Sequence, residues 1–210
     1  MSVTIARFPL PLRNALAELT IAGLEDDAAA AALRWLAAPS SPPADAAAAR
    51  LAAVHLIDAD GGALLAVHAP HAGAAAAHAT RALRARETYR PRPAAPPAET
   101  AVRQAAALWN EHLFFEVHEV LEAVWKTVAG DLRQALQGLI QIAVAFHHHA
   151  HGNLRGARSL LVEGRARLAA VPPGTLAANT GALLAVTAPM EAAFRDGATA
   201  VIPPRLEPSD

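Results

Sequence analysis

The stretch from Trp109 to Trp125 constrains this chain more than any other. It holds two of the three tryptophans and two of the five phenylalanines of a 210-residue chain in which aromatic residues are only 4%. Aromatic side chains dominate burial energetics, so a cluster of them in an alanine-rich background marks a core. Set out at ~100° per residue, Leu113, Val117, Val120, Leu121 and Val124 share one face, with Phe114 and Trp125 at its flank. That is the apolar stripe of a packed helix, expected over about residues 113–127. Phe115, His118, Glu119 and Glu122 fall on the opposite side, and Glu116 lies between the two faces. A solvated face normally mixes acids with Lys and Arg, whereas this one carries only acids and imidazole until Lys126.

Composition excludes several classes. Hydrophobic residues make up 53% of the chain, and 210 residues are enough to bury a core. The net charge of −1 offers no global attraction for nucleic acid. Without cysteine there are no disulfides, thiolate metal sites or cysteine nucleophiles, and a cytoplasmic location is expected. The first twenty residues hold no long apolar run, and the alanine tracts are short and interrupted, so neither a signal peptide nor a membrane span is expected.

Residues 1–88 read as an alanine-rich segment. Helices are expected over Asn14–Ile21, over Ala28–Ala38 behind Asp26 and Asp27, and over residues 72–88. Leu33, Trp35 and Leu36 are its candidate core residues. Two β-compatible runs flank Asp60-Gly61-Gly62 and suggest one small hairpin. Residues 89–98, with four prolines among Tyr89–Pro97, read as a linker.

A cleanly helical pattern then runs over residues 99–195, with residues 196–210 as a tail. The first helix is expected from Glu99 to Asn110, with Asn110 as a left-handed cap. After the 113–127 helix, Asp131 and Gln134 stand as a capping box for a third helix ending near His151. Asn153 caps a fourth, to about Ala170, and a last helix spans Thr180–Phe194. Short connections imply antiparallel neighbours, hence an all-α bundle.

Several pieces in this region occur in a telling order: Trp109-Asn110, Phe114-Phe115-Glu116, His118-Glu119-Val120-Leu121-Glu122, Trp125, Leu136-Gln137-Gly138-Leu139-Ile140-Gln141, His148, Gly152-Asn153 and Gly156-Ala157. Over residues 108–161 the chain resembles the bacterial and archaeal family classified as domain of unknown function 309. The resemblance implies an all-helical bundle and no named chemistry. His112 departs from it, since glycine is expected in that turn.

The polar residues of the third helix, Gln134, Gln137, Gln141 and His148, line up opposite its apolar face. If this face meets that of the 113–127 helix, His118, Glu119, Glu122, Gln137, Gln141 and His148 converge. One reading is a divalent zinc, manganese or iron site with His118, Glu122 and His148 as ligands and Glu119 as general base, a metal-dependent hydrolase. The pattern is neither HExxH nor the Glu-x-x-His of di-iron bundles. A second reading is a polar groove in which Glu116, Gln137, Gln141 and Asn153 bind a small molecule or a protein partner. A third is a His–Glu–Gln network that only ties helices together. The run His147-His148-His149-Ala150-His151 is expected to complement a helix C-terminus, and Arg155, Arg158, Arg165 and Arg167 to form a solvated face. No P-loop, Rossmann glycine pattern or Gly-x-Ser-x-Gly occurs.

Overall fold

The computed structural model describes residues 6–58, 62–198 and 201–209. The fold is all-α. The chain divides into two compact units, residues 6–89 and residues 90–209.

The first unit holds α1 (Leu10–Gly23), α2 (Asp27–Ala37), α3 (Asp45–Ala53) and α4 (Ala72–Thr88), with a 3-10 turn at Ala69–His71 before α4. Asp26 starts α2 by accepting the N–H groups of Ala28 (2.7 Å) and Ala29 (3.1 Å), which would otherwise be unpaired at a helix start. Leu12, Leu16, Leu33 and Leu51 are fully buried. Alanine fills the spaces between helices, which lets α2 lie against α1, α3 and α4. Trp35 is only half-buried and donates its indole N–H to the Ser41 carbonyl at 2.7 Å. Among the described residues the expected hairpin reduces to one antiparallel bridge, Ile57–Leu64, as two strands without a third to pack on are marginal. Asp60 and Gly61 of its turn lie outside the described residues.

The second unit holds α5 (Pro97–Asn110), α6 (Phe114–Trp125), α7 (Gly130–Ala150), α8 (Leu154–Ala169), α9 (Thr180–Thr187) and α10 (Met190–Arg195). Pro97 at the first helical position starts α5 two residues earlier than expected, since its missing N–H would have been unpaired there anyway. The expected single last helix is two, because Pro189 cannot donate into a continuous ladder.

Successive helices pack on one another, α5 on α6, α6 on α7 and α7 on α8. Arg133, at the start of α7, lies 3.9 Å over the Trp125 ring at the end of α6. At the other end Phe115 lies 6.1 Å from His147, so the two helices are antiparallel. The scarce aromatics do form the core. Trp109 meets Phe114 edge-on at 5.3 Å and Phe146 at 5.5 Å, and Phe114 and Phe146 stack at 5.5 Å.

Two local expectations change. Asn110 is helical, and the left-handed residue of the α5–α6 turn is His112 (φ 59°), so the turn keeps a glycine-like backbone without glycine. Asp131 caps nothing: Ala129 precedes α7, and Gln134 accepts from Arg167 at 2.9 Å instead of closing a capping box. The crossing of α7 on α8 rests on two glycines. A Cβ at Gly138 would lie 2.8 Å from the Gly164 carbonyl oxygen, and one at Gly164 would lie 2.7 Å from that of Gly138. Only glycine allows backbones this close.

Candidate functional site

The polar stripe of α7 turns towards α8 rather than α6. Gln134 is held by Arg167, and Gln141 donates to Glu163 at 3.0 Å. Gln137 lies half-buried between them on the same stripe. The cause is the glycine crossing: Gly138 must face Gly164, which carries Gln134 and Gln141, three or four residues away on the helix, to that side. The Oε1 atom of Gln141 is buried there and has no hydrogen-bond partner among the described residues.

The carboxylates of Glu119 and Glu122 stay on their own helix. Glu119 accepts from His118 Nδ1 at 3.1 Å, and Glu122 pairs with Lys126 Nζ at 3.0 Å, one turn along. His148 sits at the far end of α7, beside the cap of α8. Asn153 Oδ1 accepts the Gly156 N–H at 3.0 Å, which turns the Asn153 amide NH₂ towards His148 Nδ1, also at 3.0 Å. His148 Nδ1 is therefore an acceptor, and the proton of the neutral ring sits on Nε2. A ring arranged so has no open lone pair for a metal.

The metal set His118, Glu122 and His148 is accordingly not assembled. Among the described residues no group of three or more His, Asp or Glu side chains is placed to hold a metal ion. The α6–α7 register explains this. It brings His147 towards α6, and His148 lies ~100° further round the helix. Asn153, expected as both a cap and a ligand-binding residue, serves as the cap.

What the fold does gather is an imidazole–aromatic patch at this end of α6 and α7. Phe115 lies 6.2 Å from His118 and 6.1 Å from His147, and the rings of His147 and His151 are 4.4 Å apart. His151 Nδ1 donates to the His147 carbonyl at 2.8 Å, as His118 Nδ1 does to Glu119. In the neutral rings Nε2 is then the unprotonated nitrogen. All four side chains are half-buried. Glu116 is 3% exposed in the first turn of α6, where the helix dipole favours a carboxylate. Sequence reasoning set His147 and His151 aside as dipole partners. Their i, i+4 spacing was the signal, but only the α6–α7 register shows that Phe115 and His118 join them.

Residues 102–160 match the model of a family described as Domain of unknown function (DUF309). A curated relative, an uncharacterized protein of Aquifex aeolicus (strain VF5), is 27% identical over 85 residues, which is 40% of this chain. The chain spans only 26% of that relative's length. No solved structure matches the chain. From α5 to the first turns of α8, the chain carries a DUF309-like segment.

Proposed function

We propose that this chain is a ligand- or partner-binding helical bundle whose recognition surface is the patch of Phe115, His118, His147 and His151. The observation that carries this reading is the gathering of these four side chains at one end of α6 and α7, with Phe115 6.2 Å from His118 and 6.1 Å from His147 and the His147 and His151 rings 4.4 Å apart. Such a surface accepts hydrogen bonds from a ligand when the rings are neutral and donates them when they are protonated. Phe115 adds apolar contact area. Pocket-borne recognition of this kind uses a few oriented polar groups on an apolar wall. A divalent-metal-dependent hydrolase with Glu119 as base has less behind it, because Glu119 and Glu122 are engaged along α6 and His148 is turned to Asn153.

A thermal-shift screen of small polar metabolites and short peptides tests the reading. The untagged chain is compared with a Phe115→Ala/His147→Ala variant, and elemental analysis is run on both. The expected result is a ligand that raises the Tm of the parent by several degrees and leaves the variant unmoved, without stoichiometric metal. Ligands that stabilise both proteins equally would sink the assignment. Stoichiometric zinc, manganese or iron that is lost in His118→Ala and Glu122→Ala would favour the hydrolase.

A further inference from the structure

A second, separate face of the 90–209 unit reads the backbone of an extended segment. Residues 204–209 run across it without helix. Trp109 donates its indole N–H to the Pro204 carbonyl at 2.7 Å. Asn110 closes a two-point pair on one residue, its Nδ2 donating to the Leu206 carbonyl at 2.9 Å and its Oδ1 accepting the Leu206 N–H at 3.1 Å. Asn179 does the same for Glu207: its Oδ1 accepts the Glu207 N–H and its own N–H donates to the Glu207 carbonyl, both at 2.9 Å. Arg103 reaches the Ser209 carbonyl at 2.8 Å, and the Ser209 N–H donates to Ala177 at 2.8 Å.

These bonds read main chain and ignore side-chain identity, with one exception. Leu206 is fully buried, whereas the side chains of Arg205 and Glu207 on either side are 72% and 63% exposed. Main-chain bonds for affinity and one pocket for an alternate side chain are the pattern by which strand-like peptides are recognised. Proline suits the occupant. Pro203, Pro204 and Pro208 hold the segment extended at low ordering cost, and Pro204 offers only the acceptor that Trp109 needs. Arg103, Trp109 and Asn110 also lie within the family-matched residues, whereas residues 204–209 lie beyond them.

We propose that the face formed by Arg103, Trp109, Asn110 and Asn179 is a recognition site for an extended Pro-x-Leu peptide, and that residues 204–209 occupy it as a resident, displaceable ligand. The external ligand is a segment of another polypeptide with the same chemistry: an extended backbone, a central leucine and tolerant flanks.

The test uses the full chain with a protease site inserted between residues 198 and 203. The folded protein is cut, the released segment is dialysed away, and a fluorescent peptide of residues 203–209 is titrated in by anisotropy. Saturable binding is expected. Asn110→Ala in the protein should weaken it about tenfold, the scale of one lost two-point hydrogen bond. Leu→Asp at the central peptide position should abolish it, while Ala at the Arg and Glu positions should change it less than about threefold. An uncut Leu206→Asp chain, which disturbs the resident segment alone, should also bind the peptide. The proposal is overturned if the cut chain stays helical and binds nothing, or if binding depends as strongly on the peptide's Arg and Glu as on its Leu. It is equally overturned if both the cut chain and Leu206→Asp unfold, since the segment is then an inseparable part of the core.

Discussion

At the scale of single residues, two positions test the local chemistry. His112 holds a left-handed backbone that costs an ordinary L-residue about 1–2 kcal/mol. His112→Val should lower stability further in urea unfolding, because a β-branched side chain fits this region worst. His112→Gly should leave stability unchanged or raise it. Asn153 bonds both the start of α8 and His148. Asn153→Ala should cost about 1 kcal/mol in the same measurement, the usual value of an N-cap. It should also move the His148 ring resonances in an NMR spectrum, since the group that sets its tautomer is gone.

At the scale of elements, the α7–α8 crossing is the sensitive joint. Gly138→Ala and Gly164→Ala each drive a methyl group against a backbone carbonyl that cannot step aside. Overpacking of this kind should cost about 1–3 kcal/mol, even though alanine favours helix, and a thermal melt would register it. The start of α5 is tied electrostatically. Hydrogen bonds from Arg92 first, and then Arg103, hold the Glu99 carboxyl below its ordinary value of 4.5. A carboxylate lowered on folding adds stability that is fully present above that value and is lost as the pH falls through the lowered one. Asp26 at the start of α2 behaves alike below 3.8, chiefly through the Ala29 N–H. The melting temperature should thus fall as the pH drops below about 4.5, and Glu99→Gln should flatten that fall.

At the scale of the whole chain, residues 6–89 and 90–209 each have their own buried leucine or aromatic core. Expressed separately, the 90–210 fragment should keep a helical circular-dichroism spectrum and melt cooperatively. A fragment that is unfolded alone would show that its core is not self-sufficient. Among the described residues no helix is long and apolar enough to cross a membrane.

Most helices were legible in the sequence because their signals are local, although α3 (Asp45–Ala53) was not expected and the last helix proved to be two. Apolar spacing at 3.6 residues marked α6 and α7, Asn153 marked the start of α8, and the concentration of aromatics marked the Trp109–Phe114–Phe146 core. Which polar residues meet was not legible, because it depends on how helices are rotated against each other. Two glycines let α7 and α8 touch backbone to backbone, and that contact turned Gln134 and Gln141 away from α6. The same rotation placed His147, not His148, beside Phe115. The binding of residues 204–209 to Trp109 and Asn110 spans some 96 positions of chain, beyond the reach of any periodicity. Sequence alone determined most of the helices and the apolar faces of α6 and α7, since each follows from neighbours within a turn. Tertiary structure decided the register between them, since that follows from close packing across the bundle.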